Sequence, residues 1–526
     1  MTDIVQSLAR IVGEPYVSNH PEEAYFYARD PGLMPPHEPD YVVVPKSVEE
    51  IQEIVRLAGR EKLPVVPMGA GLALTGLVIP LKGGIVIDMK RMNRILAVNE
   101  TGRHAIVEGG TSQGYLKAYL DKHHPRLRHS IPDSPATATI AANVMIHGQG
   151  RLTQQYGFNS DMICGLEVVL ASGEICHIGS CALSPDWFSK GPPLPDLTGL
   201  FLGWFGATGI ITKIGVKLYP KKKMRDVEIF ITDRDDLVPA MVYELTHTEM
   251  VEDINVFAQP KPMIFKDNHH ITLFFTGDTD EEMEFKRKTI WHSLDPFIKS
   301  KDGGFMGVPP VMKPTLLDMP QRSVSRFADV KKGGGFEYSG PIIMVDKYPA
   351  CTRKIVELAE KYDLGYSGMA RIIGRSHAMM YGFAFTFNRA DPDMMERTRK
   401  ALYEVSVFAL EAGGVFWKAT VDESRSGASG TRVLPFPSCC RPDPTASARP
   451  EREHGAVCWL PGLWDPRPPH RRGRYRGPAL RKEISCESRG EADPRVFRPC
   501  RPRRTPKMGL GAFSGSETCL RNSRRA

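Results

Sequence analysis

Little in this chain of 526 residues invites a disulfide, a zinc site or a membrane span. Residues 1–430 hold only Cys164, Cys176, Cys181 and Cys351, with no C-x-x-C pair and no histidine at ligand spacing. Neither a zinc site nor a disulfide framework is indicated. The N-terminal MTDIVQSLARIVGEP lacks a basic stretch ahead of an apolar core, so no secretory signal is expected. The most apolar run, Leu197 to Ile211, is too short for a bilayer, is interrupted by four glycines and is followed by Lys213. Neither G-x-x-x-x-G-K-[ST] nor a helix-opening G-x-G-x-x-G occurs, so neither common nucleotide fingerprint is present. These absences describe a soluble protein of a reducing, cytoplasmic compartment.

Net positive charge is confined to one region. The chain has 69 Lys+Arg and 61 Asp+Glu, a net +8, but residues 431–526 alone carry 21 and 9. The remaining 430 residues therefore hold 48 and 52, a mildly acidic body that offers nucleic acid no basic face. The last 96 residues also hold six of ten cysteines and 14 of 43 prolines, with Ile484 the sole isoleucine. Such a segment buries too little apolar surface to offset its ordering entropy. A GC-rich gene read out of frame accounts for its Arg, Pro and Cys bias. The alternative is a basic arm, in which Arg471 to Pro478 (RRGRYRGP) would hold phosphates without a fold or aromatic platform around it.

What is present reads as ordinary globular composition, 41% hydrophobic and 25% charged, of a length that suggests about three domains. Residues 40–66 predict strand, helix, strand. The helix in SVEEIQEIVRLAGREK opens on Ser47 and Glu50 as a capping box, with Val48, Ile51, Ile54, Val55 and Ala58 on one face. A glycine-rich turn follows from Pro67 to Pro80. Gly69, Gly71 and Gly76 permit positive φ and let successive N–H groups face an anion, with a plain tight turn as the alternative. Next come paired strands in NRILAVNETGRHAIVEGGT, a helix opened by Ser112 or, as the alternative, Thr111, a long small-residue stretch from Ser130 to Gly157, and a hairpin turning at Ser172-Gly173. A further strand ends near Pro220. From Met224 onward, strand-plus-helix units recur, then paired strands in GMARIIGRSHAMMYGFAFTFN and a helix after Asp391-Pro392. These make a second α+β domain over about 223–415, and GVFWKA reads as one last strand.

Six blocks in order carry a resemblance: EPDYVVVPKSVEEIQEIVRLA, VVPMGAGLALTG, IVIDMKRMNRILAVN, IPDSPATATIAANVMIHGQGRLTQQYG, ICGLEVVLASGEI and LFLGWFGATGIITKIGVKLYP. Together they resemble the flavoproteins grouped with vanillyl-alcohol oxidase and p-cresol methylhydroxylase. The likeness runs nearly without gaps over 40–222 and more loosely to about 420. It implies an α+β fold: a two-subdomain FAD-binding domain over 1–222, and an α+β cap over 223–415 with an antiparallel sheet flanked by helices. A return strand over 416–430 and an irregular tail over 431–526 complete the expected organisation. The implied cofactor is FAD. The family's pyrophosphate loop falls on Pro67, Met68, Gly69, Ala70, Gly71, Leu72 and Ala73. A second flavin-contacting segment falls on Pro132, Asp133, Thr137, Ala138, Thr139 and Asn143, continuing to Tyr156 and Gly157. A third falls on Gly209, Ile210 and Ile211.

In that family a hydride passes from substrate to flavin N5, and the protein supplies orientation and charge control. Asp133, in Ile131-Pro132-Asp133, matches the family's V-P-D-like segment with a spacing change of about one residue just after it. The alternative is a turn-capping Asp. Lys418, preceded by Trp417, stands where the family has Arg after Tyr. A lysine there lacks the bidentate fork, and a snorkelling strand lysine is the alternative. Arg371, Arg375, His377 and Tyr381 are expected on cap strands facing the flavin, to bind a substrate carboxylate or carry a covalent link, with plain structural roles as the alternative. No resident metal is expected.

The implied function is an FAD-dependent oxidoreductase acting on an alcohol or 4-alkylphenol. One alternative is a 2-hydroxy-acid dehydrogenase, although the H-x-G-D-G-N-x-H motif of such relatives is absent. Another is a member made non-competent by a C-terminal frameshift, because ATVDESRSGASGTRVLPFP leads into the tail where relatives have a closing segment like D-P-N-G-I-M-N-P-G. Expected partners are a small-molecule substrate and an electron acceptor (oxygen, a cytochrome or another carrier). No nucleic acid and no membrane span are expected, and a homodimer is the candidate assembly.

Overall fold

The computed structural model describes residues 3–258, 269–318 and 334–418, with the short strands Val421–Asp422 and Arg432–Val433. The chain divides into compact units at Pro468, the second of which, with the rest of the expected return strand and tail, lies outside the described residues.

The helix Val48–Glu61 shows how local sequence builds the first subdomain. Ser47 Oγ accepts the Glu50 N–H at 3.3 Å, and the Glu50 carboxylate accepts from the Lys46 N–H at 2.7 Å, one residue earlier than the expected capping box requires. Lys62, with φ of 59°, ends the helix. Its face of Ile51, Ile54, Val55, Leu57 and Ala58 packs on Val43, Ile85 and Ile87. Those residues belong to a four-stranded sheet ordered Val17–Ser18, Tyr41–Val43, Ile85–Asp88, Val65–Met68, the last three parallel. Near-continuous apolar runs suit parallel strands covered on both faces.

The second subdomain is antiparallel, in the order Ile95–Asn99, His104–Glu108, Ile210–Lys217, Ile163–Val169, Ile175–Gly179. Leu116 and Leu120 of the helix Gln113–His123 seal its core.

The cap is one antiparallel sheet of nine strands. At its centre Asp253–Ala258 lies between His269–Gly277 and Gly365–Ile373, and Gly365–Ile373 pairs in turn with Ala378–Asn388. The sequence of Asp253–Ala258 gives little strand signal, because Asp253 and Asn255 break its apolar run. Side chains alternate across a strand. Tyr381, Phe383 and Phe385 enter the main cap core with Tyr348 and Ile355 of the helix Tyr348–Tyr362. Met369, Ile373 and Met380 instead share an apolar cluster with Phe158 of the N-terminal domain and with Trp417.

The tip of the central hairpin docks through its backbone. Gly374, Arg375 and Ser376 have φ of 56°, 57° and 68°. The N–H groups of Gly374 and Arg375 donate to Thr153 O at 3.1 Å and Gln154 O at 2.7 Å. These are carbonyls of the short helix Thr153–Tyr156. Arg128 adds a bidentate pair to Glu252 at 2.5 and 2.8 Å. Among the described residues no helix is long and apolar enough to cross a membrane, and the described cysteines are free thiols.

Candidate cofactor site and buried charge network

A cavity of about 490 Å³ opens where the strand Val65–Met68 runs into the glycine loop. Met68, Gly69, Ala70 and Gly71 form one side, and Thr137 and Thr139 form another. Gly69 is required by contact: a Cβ there would lie 2.4 Å from Thr139 Oγ1 and 3.3 Å from Ala142 Cβ. Thr139 Oγ1 is itself buried without a protein partner, as are Ser130 Oγ, Ser134 Oγ, both polar atoms of the Gln149 amide and Gln154 Oε1. Unpaired buried polar atoms are rare, and of these Thr139 lines the cavity, where its hydroxyl fits a polar ligand.

Cations reach the same cavity from residues not read as site residues in the sequence. Lys90 Nζ lies 2.7 Å from Asp88 and 3.0 Å from the Tyr27 hydroxyl. Partial burial works against its charge, but the bonds to Asp88 and Tyr27 outweigh it and push the ammonium up to about 12. Arg29 also lines the cavity. Only the position of Lys90, two residues beyond a strand ending in Asp88, could have signalled it.

The expected loop divides. Met68 to Gly71 face the cavity, whereas Ala73 turns toward Leu77 and Phe205, and its carbonyl accepts from Lys418 Nζ at 2.5 Å. Lys418 also sits 4.8 Å from the ring centres of Tyr338 and Trp417. The next peptide groups are held by carboxylates. Glu337 accepts the Thr75 N–H at 3.2 Å, and Asp30 accepts the Gly76 N–H at 2.9 Å. Leu74 and Thr75 have φ of 62° and 59°, a left-handed backbone that costs a non-glycine residue roughly 1–2 kcal/mol.

A second cluster joins the domains. Arg371 is 1% exposed, and its guanidinium reaches Asp133 at 2.7 Å, Asp253 at 3.1 Å and Asn255 at 3.0 Å. Arg151 meets Asp253 at 3.2 Å and lies over the Phe274 ring. Burial opposes the charge on Arg371, but Asp133 and Asp253 outweigh it and hold the guanidinium protonated. Burial raises the Asp253 carboxyl, with Arg371 and then Arg151 pulling the other way.

Other expected site residues fall elsewhere. His377 sits exposed in the hairpin turn, not on a strand facing the cofactor, and Arg375 beside it pairs with Glu249 at 3.3 Å. Tyr381 points into the cap core, its hydroxyl 3.1 Å from Thr352. Register explains the correction: Tyr381 pairs with Ala370 and Met380 with Arg371, so Tyr381 lies on the face opposite Arg371. Asn143 accepts from Asn159 at 2.6 Å, Pro132 bridges to Gly150, and Ala138 O accepts from the Gln113 N–H. The Tyr156 ring lies tilted by 34° against Tyr219 with ring centres 4.3 Å apart, and Gly157 ends that helix with φ of 87°. Gly209, Ile210 and Ile211 are close-packing positions. A Cβ at Gly209 would lie 2.6 Å from Val168, and the two isoleucines enter separate cores. Pro67 packs behind the loop, against Gly206. Leu72 is half-buried and does not line the cavity.

Residues 39–179 match the family described as an FAD binding domain. Over 429 residues the chain is 28% identical to glycolate oxidase subunit GlcD of Bacillus subtilis (strain 168), covering 78% of this chain and 87% of that one. It is 30% identical over 208 residues to the flavoprotein subunit of 4-cresol dehydrogenase (hydroxylating) of Pseudomonas putida, covering 38% and 39%. The fold superposes on 4-ethylphenol oxidase from Gulosibacter chungangensis with a TM-score of 0.68 at 20% identity, covering 79% and 88%. The chain spans less than half the length of several other curated relatives that it matches.

The cofactor is FAD, and the cavity suits its diphosphate: a cradle that a Cβ at Gly69 would fill, the unpartnered Thr139 hydroxyl, and the Lys90 cation. Gly69→Ala is expected to weaken FAD binding by about tenfold or more, in line with 1–3 kcal/mol for overpacking. Flavin fluorescence titration measures it, and an unchanged dissociation constant would remove Gly69 from the cradle.

Proposed function

We propose that this FAD-linked oxidoreductase, a chain of the FAD-linked oxidase superfamily, oxidises an alcohol or a 4-alkylphenol. The observation that carries the reading is the cap face beside Asp133. Arg371, which holds Asp133, shares its strand face with Met369 and Ile373 and pairs across with Met380. Phe257, Phe158 and Trp417 extend that apolar cluster. A substrate reaching Asp133 there would bury carbon against Met and aromatic side chains, as an alkyl or aryl group requires.

In this reading FAD, when bound, supplies the acceptor for the substrate's hydride. The protein's part is to orient the substrate, exclude water and take up a proton. Asp133, held as a carboxylate partner of Arg371, accepts the hydroxyl proton. The apolar cluster keeps the reacting carbon dry. Electrons then leave to oxygen, a cytochrome or another carrier, and the expected assembly is a cytoplasmic homodimer.

A second reading, a 2-hydroxy acid as substrate, is favoured by the likeness to a glycolate oxidase subunit over 78% of the chain. It requires a cation for the substrate carboxylate. Arg371 and Lys418 are both engaged by protein groups, which weighs against it. Anaerobic flavin reduction with 4-alkylphenols, aryl alcohols and 2-hydroxy acids separates the two. Bleaching by phenols or aryl alcohols alone is expected, and bleaching by 2-hydroxy acids alone would overturn the first reading.

A further inference from the structure

The loop from Ala73 to Gly76 is fixed by side chains that arrive from three distant parts of the chain. Asp30 comes from the N-terminal segment, Glu337 from the cap strand Gly334–Ser339, and Lys418 from beyond the cap. All three are buried, and none lines the dinucleotide cavity. Each binds a backbone group of the loop rather than a side chain: Lys418 the Ala73 carbonyl, Glu337 the Thr75 N–H, Asp30 the Gly76 N–H. The carboxylates also gather the preceding N-terminal turn, Asp30 through the Gly32 N–H at 2.8 Å and Glu337 through the Leu33 N–H at 3.4 Å. Their spacing leaves room for no side chain at Gly32, where a Cβ would lie 2.1 Å from Glu337 Oε2 and 3.0 Å from Asp30 Oδ1.

The clamped peptides are those the backbone resists. Leu74, Thr75 and Gly76 are consecutive left-handed residues, and Gly71 ahead of them is also left-handed. Left to itself, a Leu-Thr pair would relax toward extended backbone and carry Gly69 to Gly71 with it. We propose that Asp30, Glu337 and Lys418 are positioning residues that lock the FAD loop in its binding form, so that the cap supplies part of FAD affinity without touching FAD. The proposal rests on FAD as the cofactor and not on any substrate.

The clamp also has a pH sense. Two carboxylates face one ammonium, with Arg389 against the Asp30 carbonyl and Arg399 against the Leu33 carbonyl. Burial, and then the charge of Asp30, push Glu337 up to about 7, against the Tyr338 N–H, Lys418 and the Thr75 N–H. Burial likewise raises Asp30, against the Gly32 and Gly76 N–H groups, Lys418 and Arg389. A carboxyl raised in the folded state contributes fully below its ordinary value of 4.5, and that contribution is lost as pH rises through about 7.

The test uses the full chain, titrated with FAD at about pH 6 and about pH 8, with hydrogen exchange of the apoprotein alongside. Glu337→Ala is expected to raise the FAD dissociation constant about tenfold, as when one loop in ten is binding-competent. Exchange at Thr75 and Gly76 should accelerate while the strand Ala378–Asn388 stays protected, as it should in the exposed control Glu357→Ala. A dissociation constant within twofold of the parent's, with the strand protected, would overturn the proposal. If Glu337→Ala loses protection throughout the cap, Glu337→Gln decides. It carries no titrating proton, so the pH dependence of FAD binding should flatten, and a slope equal to the parent's would overturn the proposal. The exchange measurement needs no FAD and no substrate, so it stands if either functional reading fails.

Discussion

Arg371→Met is expected to destabilise the chain by about 3–5 kcal/mol, the usual effect of removing one partner from a buried ion pair. The side chains of Asp133 and Asp253 would each lose their contact with Arg371, and Asp253 is fully buried. Asn255 would lose its donor as well. Methionine fills similar volume beside Met369 and Met380, so the loss reports charge more than cavity. A lower midpoint in guanidinium unfolding and less soluble protein are the readouts. Arg371→Lys keeps the charge but not the donors aimed at three partners, and should fall between the two. A midpoint equal to the parent's in Arg371→Met would mean that Arg151 alone neutralises Asp253.

Asp133→Asn should leave FAD content intact, because Asp133 does not line the cavity at the glycine loop, yet slow flavin reduction by about 10²–10⁴-fold, the range for losing the general base proposed above. An asparagine still offers Arg371 an oxygen, so the fold should survive. Anaerobic single-turnover reduction separates chemistry from flavin reoxidation. Reduction within threefold of the parent's would leave Asp133 as an anchor between domains and nothing more. The two substitutions touch one network, so their effects should not add, and the double variant measures the coupling.

Much of the FAD-side domain was legible because its signals are local. Ser47 caps its helix, Ser112 opens another by accepting the Tyr115 N–H, and Ser172-Gly173 turns a hairpin. The turn after Val65–Met68 was visible as glycines, and Gly69 is where the structure needs one. What stayed hidden depends on distance or parity. Asp30 and Glu337 meet across more than 300 residues, and no local pattern announces such a pair. Arg371 and Tyr381 are neighbours on a hairpin, but a single step of register sends one toward Asp133 and the other into the core. The residue pattern around Lys418 suits a cation for flavin or substrate. Whether a lysine ends on a ligand or on the Ala73 carbonyl is decided by where the chain goes after the strand Val415–Phe416, which only the folded cap sets.

The hairpin tip carries a last consequence. Its hydrogen bonds to the helix Thr153–Tyr156 run from main-chain N–H groups to main-chain carbonyls, so Arg375 can give way to any residue that tolerates left-handed backbone and keeps its N–H while the joint persists. A side-chain scan would walk past it. Chemistry on the chain itself, such as exchanging the Arg375 amide for an ester, would reveal that the cap is fastened there by peptide N–H groups that every residue but proline carries.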